Sequence, residues 1–311
     1  MRNLLRETRL HPHDFVLPVF VNDGIRDAVP IPSMPGVFNY PESMLGDVVR
    51  KTRDSGVQAV LLFGVTGNKD PVGGDTLREE GLMARMIRSA KEAAPELVVI
   101  SDNCFCEYTD HGHCGVLKDG DVDNDATLEN LGRQAVVAAK AGADLVAPSA
   151  MMDGQVGAMR EELDDEGFPD VGIMSYSTKF ASSFYGPFRD AVDSSFKGSR
   201  NSYQMDAANR REALDESLTD EEEGADVLMV KPALPYLDVI REIREATELP
   251  VAAYQVSGEY AMIQAASSTG ALDAKAVALE SLTSIKRAGA DVIITYFALE
   301  AAAWISGGAK I

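Results

Sequence analysis

One phrase occurs three times in the 311-residue chain and limits its fold more than any other feature. Ala141-Gly-Ala-Asp144, Glu223-Gly-Ala-Asp226 and Ala288-Gly-Ala-Asp291 each close a stretch of helical spacing and open a short apolar run. The glycine ends a helix in a left-handed cap, and the turn hands the chain to a strand. The same rhythm runs along the whole chain. Apolar runs at Phe15–Phe20, Ala59–Phe63, Val98–Ile100, Leu145–Ala147, Gly172–Met174, Val227–Val230, Val251–Ala253 and Val292–Ile294 predict eight strands. Near-continuous apolar strands separated by helices pair in parallel and are covered on both faces. Eight such units in about 300 residues predict an α/β fold of the TIM (β/α)8 barrel type. A doubly wound open sheet is the alternative, but no Gly-x-Gly-x-x-Gly follows the first strand.

The stretch between Asp125 and Gly142 illustrates the helices. Leu128, Leu131, Ala135 and Ala138 return at helical spacing, with Asp125 or Thr127 as the expected N-terminal cap. No linker or shift in composition marks a second domain, so residues 13–311 are expected to form one barrel. Residues 1–12 read as an arm, with Arg2, Arg6 and Arg9 beside Leu4, Leu5 and Leu10. Such an arm suits either a neighbouring subunit or a solvated end. A loop with Pro30, Pro32, Pro35 and Gly36 follows the first strand.

Lys and Arg number 29 against 49 Asp and Glu, a formal charge of −20. That balance argues against nucleic acid and anionic membrane as partners. Eleven of the 29 basic residues are lysine. A lysine-poor acidic surface fits an ordinary cytosolic enzyme and fits adaptation to high salt equally well. No apolar run reaches membrane-spanning length, and Met1 to Arg9 lack a signal-peptide core, so a cytoplasmic location is expected.

In a barrel the carboxyl ends of the strands converge on one mouth. The third strand presents Ser101, Asp102, Cys104 and Cys106 there, and the fourth presents Ser149. The fifth presents Ser175, Ser177 and Lys179, and the sixth Lys231. The seventh presents Tyr254 and Ser257, and the eighth Thr295 and Tyr296. Lys231 ends the buried run Val227-Leu-Met-Val230, where exclusion of water favours the neutral amine that attacks a ketone. Strands five and six are neighbours, so Lys179 and Lys231 can approach, and like charge lowers the proton affinity of at least one. A segment of about 186–211, rich in Arg, Ser, Gly and Asn, reads as a lid. Arg189 and Arg200 within it suit a carboxylate clamp or, more blandly, a solvated surface.

All three cysteines lie between residues 104 and 114, beside His111 and His113. Soft thiolates select zinc, and three ligands with an open fourth position is the catalytic arrangement. A fourth ligand from His113 would instead close the site. The Cys-x-Cys spacing is neither a zinc ribbon nor a redox Cys-x-x-Cys.

Four segments strongly resemble the porphobilinogen synthase (5-aminolevulinate dehydratase) family. They are Asp102-Asn-Cys-Phe-Cys-Glu-Tyr-Thr-Asp-His-Gly-His-Cys114, Ser175-Tyr-Ser-Thr-Lys-Phe-Ala-Ser-Ser-Phe-Tyr-Gly-Pro-Phe-Arg189, Leu228-Met-Val-Lys-Pro232 and Tyr254-Gln-Val-Ser-Gly-Glu-Tyr260. The resemblance spans nearly the whole chain. It implies a homo-octamer whose N-terminal arm embraces a neighbour. It implies condensation of two 5-aminolevulinate molecules to porphobilinogen with loss of two waters, a step of haem and other tetrapyrrole synthesis. By motif position, Lys231 is the Schiff-base lysine and Lys179 engages the other substrate. Ser257 and Tyr296 match binders of the first substrate's carboxylate, and Arg189, Arg200 and Gln204 match contacts of the second. Asp102 and Ser149 match partners of the first substrate's amino group. Cys104, Cys106 and Cys114 match a catalytic zinc triad, and Glu216 matches a position that helps hold an activating magnesium through water. A class I aldolase, which needs one imine lysine and no thiolates, and a non-catalytic zinc scaffold are the competing readings.

Overall fold

Eight parallel strands follow one another around a sheet that closes on itself. They are β1 (Phe15–Asn22), β2 (Ala59–Val65), β3 (Val98–Asn103), β4 (Leu145–Pro148), β5 (Gly172–Lys179), β6 (Val227–Lys231), β7 (Val251–Gln255) and β8 (Val292–Thr295). Closure is made by β8 against β1, with Phe15 level with Ile293 and Val16 with Ile294. The molecule is a TIM barrel. This computed structural model describes residues 4–193, 196 and 198–307.

Every predicted strand is present, and each runs further toward its carboxyl end. β5 gains Ser175 to Lys179 and β3 gains Ser101 to Asn103, all buried. These residues are polar, so a reading of apolar runs stops short of them. Helices α1 (Glu42–Asp54), α2 (Leu82–Ala93), α3 (Asn124–Ala141) and α4 (Gln155–Asp165) alternate with the first strands. The short α5 (Gly186–Ala191) follows β5, and α6 (Arg210–Glu222) leads into β6. Then come α7 (Leu237–Ala246), α8 (Ser257–Ser268), α9 (Ala274–Ala288) and α10 (Ala298–Ser306).

The cap of α3 differs from expectation. Asp123, not Asp125 or Thr127, accepts from the Ala126 amide, and Thr127 points inward to donate to the Asp123 carbonyl. Gly142 ends this helix at φ 101°, as its sequence phrase predicts. The proline-rich loop after β1 also holds more structure than expected. Val29–Pro30 and Phe38–Tyr40 form a small ribbon on the end of β1, an edge position where proline is tolerated.

The repeated aspartate has a role of its own. Asp144 accepts from the Val99 amide, Asp226 from the Ile173 amide and Asp291 from the Val251 amide. In return the three aspartate amides donate to the Val99, Ile173 and Val251 carbonyls. Each phrase thus ties the start of an even strand to the start of the odd strand before it. These ties lie on the amino-terminal face of the barrel, the face that serves stability.

Of the expected arm, Arg2 lies outside the described residues. Leu4 and Leu5 are 79% and 73% exposed, whereas Leu10 and Pro12 are buried against the barrel.

Candidate active site

The two lysines meet because β5 breaks its alternation. From Leu228 level with Ser175, the pairing shifts so that Val230 is level with Thr178 and Lys231 with Lys179. One extra residue on β5 is a bulge, which re-aims every side chain after it. Ser175 faces outward, where its hydroxyl donates to Asp220 of α6, and Tyr176 faces inward against both lysines. Thr178 then faces outward to the Ala213 carbonyl and Ser217, which leaves Lys179 facing inward. Ser175 and Ser177, expected at the mouth, therefore belong to the outer side of the sheet. Thr295 likewise turns away, donating to Gln255.

Lys231 Nζ sits 4.3 Å from the Tyr254 ring centre and 4.9 Å from that of Tyr176, with Tyr185 and Phe188 at 5.5 Å. Aromatic faces stabilise a cation weakly compared with bulk water. Burial, with the nearby Lys179 ammonium adding to it, brings the Lys231 amine down to about 7. Lys179 behaves in the opposite sense. Burial pulls its proton affinity down, but the cysteine cluster outweighs that and holds it above the ordinary lysine value. Its Nζ donates to the Ser149 carbonyl. The Ser149 hydroxyl donates to Asp102 Oδ2 at 3.0 Å, and Asp102 Oδ1 is buried without a partner. Burial raises the Asp102 carboxyl, and both lysines pull against that rise.

The sulfurs of Cys104, Cys106 and Cys114 lie within 4.8 Å of one another, all buried. Without a counter-charge three packed thiols cannot all ionise. Burial drives Cys104 up, its contact with Cys104 drives Cys106 up, and the hydrogen bonds Cys114 accepts from both pull it down. A divalent cation resolves this by pairing with all three at once, so the donor set fits a metal ion. His113 does not close the set. Its Nδ1 lies 3.2 Å from Tyr203 Oη, and His111 Nε2 lies 3.1 Å from the Pro71 carbonyl. Cys106 borders the cavity that also receives Asp102, Ser149, Lys179 and Lys231.

The model of the delta-aminolevulinic acid dehydratase family matches residues 1–304. The chain belongs to that family. It is 60% identical over 302 residues to the delta-aminolevulinic acid dehydratase of Escherichia coli, covering 97% of this chain and 93% of that one. It is 51% identical to that of Bacillus subtilis, covering 98% of this chain and 95% of that one. The crystal structure of the Toxoplasma gondii delta-aminolevulinic acid dehydratase (porphobilinogen synthase), solved with the reaction product porphobilinogen, superposes with a TM-score of 0.95 at 46% identity. That match covers 97% of this chain and 88% of that one. The chain is therefore an enzyme, a lyase of the dehydratase family, and the aldolase and scaffold readings fall away.

Set out as a dehydratase site, the cavity gathers most of the residues singled out in the sequence. Arg189, Arg200, Ser257 and Tyr296 line it with the lysines. Arg200 Nη2 donates to the Gly112 carbonyl, while its Nε is buried and unpartnered, as is Gln204 Nε2. Gln204 lies outside that cavity and shares an adjoining opening with Arg189 and Arg200. Ser257 accepts from the Phe188 amide and donates to the Phe184 carbonyl, so it holds the base of the 186–211 segment. A side chain at Gly258 would collide with that same Phe184 carbonyl. Residues 194, 195 and 197 of the segment lie outside the described residues. Glu216 stands apart, in a polar cleft with Asp121, Asp153 and Glu212. Burial first, then Asp220 and Asp153, lifts its carboxyl to about 7.

Sequence reasoning missed Tyr176, Tyr185, Phe188 and Glu107. The aromatics read as core side chains, and only their convergence on one amine gives them a role. Glu107 is buried against the cavity, with burial raising its carboxyl to about 7. Its place between two cysteines carried no separate signal.

Proposed function

We propose that the chain condenses two molecules of 5-aminolevulinate to porphobilinogen with release of two waters. The observation that carries this reading is the pairing of Lys179 and Lys231 on one rung, inside a cavity bordered by the thiol cluster. In this reading the neutral amine of Lys231 adds to the ketone of the first substrate, and loss of water leaves an imine. Aromatic walls exclude solvent water that would reverse the step. Lys179 engages the second substrate. Asp102, steadied by Ser149, faces the first substrate's amino group, and its unpartnered Oδ1 supports an ammonium or amine neighbour. Ser257 and Tyr296 receive the first carboxylate. The buried, unpartnered donors of Arg200 and Gln204 suit the second carboxylate, with Arg189 beside them. Zinc held by Cys104, Cys106 and Cys114 would supply a Lewis acid at the second substrate's carbonyl.

Borohydride added with 5-aminolevulinate tests the reading. A reduced adduct mapped to Lys231, together with pyrrole formation in the presence of zinc, is the expected result. Fully metallated protein that gives neither would overturn the imine chemistry assigned to Lys231. The family further supports a homo-octamer in which residues 1–12 pack on a neighbour, which sedimentation would read. The acidic cleft at Glu216 supports an activating magnesium held through water; equal rates with and without magnesium at saturating zinc would exclude it. A cytoplasmic location is consistent with free, buried thiols and with the absence of a membrane-length apolar helix among the described residues.

A further inference from the structure

The inward aim of Lys179 depends on a shift in β5, and the groups that hold the shift lie on the opposite side of the sheet. Strict alternation from outward Ser175 and inward Tyr176 would put Ser177 outward, Thr178 inward and Lys179 outward. The observed strand instead sends Thr178 outward to the Ala213 carbonyl and Ser217. On that outer side Asp220 of α6 accepts from Ser175 Oγ at 2.5 Å, and the Ser177 hydroxyl donates to the Ser175 carbonyl at 3.4 Å. The carboxylate thus holds the last residue in register before the break, and Ser177 at the break is bound back to that residue.

Asp220 is an expensive residue to keep there. It is 2% exposed, its partners are neutral hydroxyls, and its charged neighbour Glu223 repels it. A buried carboxylate without a cation weakens a fold unless geometry requires it. Among the described residues, no other carboxylate accepts a hydrogen bond from Ser175, Ser177 or Thr178.

We propose that Asp220 is a positioning residue for the reaction: through Ser175 and Ser177 it fixes the bulge that brings Lys179 level with Lys231. The inference rests on the two-lysine chemistry proposed above for its kinetic arm only. The geometric arm stands alone.

Asp220→Ala tests the geometry directly by crystallography. The expected structure has unbroken β5–β6 pairing, Lys231 level with Thr178, and Lys179 out of the cavity. Retention of the Lys179–Lys231 rung overturns the proposal. In the kinetic arm, Asp220→Ala is expected to lose turnover by roughly tenfold to a hundredfold, the scale set by misplacement of a reacting group. Borohydride trapping at Lys231 is expected to persist, with its pH dependence moved upward because the Lys179 ammonium no longer lies beside that amine. Asp220→Asn, which keeps one acceptor oxygen, is expected to recover most of the turnover. A purely structural role would lower folded protein, turnover and Lys231 trapping together in both variants, and that result also overturns the proposal. Absence of trapping in the unsubstituted enzyme would count against the imine chemistry, while the crystallographic arm would still decide on Asp220.

Discussion

Lys231 is poised by what surrounds it rather than by a partner. Four aromatic rings and a nearby ammonium make its neutral form accessible near pH 7. Imine trapping should therefore rise with pH through about 7 and level off above it, when initial rates are followed across a pH series. Lys231→Met is expected to abolish both trapping and turnover while leaving the circular dichroism spectrum intact. Because the folded-state value lies below that of the unfolded chain, the parent gains stability relative to this variant as pH rises from about 7 to 10, by about 1.4 kcal/mol per pH unit. Denaturant titrations at several pH values would read that slope. Cys104→Ala breaks the thiol cluster and is expected to lose bound metal and most activity, measured by metal content and pyrrole formation. The residue types at the strand ends were legible, since lysines, cysteines and an aspartate at one mouth leave few chemistries. The aim of Ser175 and Ser177 was not, because an inserted residue leaves no trace in a period-two pattern.

The elements show the same division. Each strand began where its apolar run began, but the buried polar ends of β3 and β5 extend beyond it. Hydrophobic periodicity cannot find a strand segment whose buried side chains are polar. The Gly-Ala-Asp phrase was read for its glycine alone, whereas its aspartate reaches the neighbouring strand. Removing Asp226 leaves the Ile173 amide without its acceptor, and Asp226→Ala is expected to cost about 1–3 kcal/mol. Urea unfolding would measure it, with turnover per folded molecule unchanged because the tie lies at the far end of the barrel.

At the scale of the molecule, the count of eight units was enough to read closure, and the β8–β1 pairing completes it. The charge of −20 makes self-repulsion a general destabilising load. Its midpoint of thermal unfolding is expected to climb as salt rises from about 0.05 to 1 M, where screening shortens the reach of each charge. A falling midpoint in a salt series would mean that its ion pairs outweigh the repulsion.

The aspartate ties join β3 to β4, β5 to β6 and β7 to β8, and skip the joints between those pairs. A barrel stitched in twos has its seams elsewhere, so thermal breathing is steered to the unstitched joints. Hydrogen exchange would read this as late exchange at the Val99, Ile173 and Val251 amides and earlier exchange at the joints between the pairs.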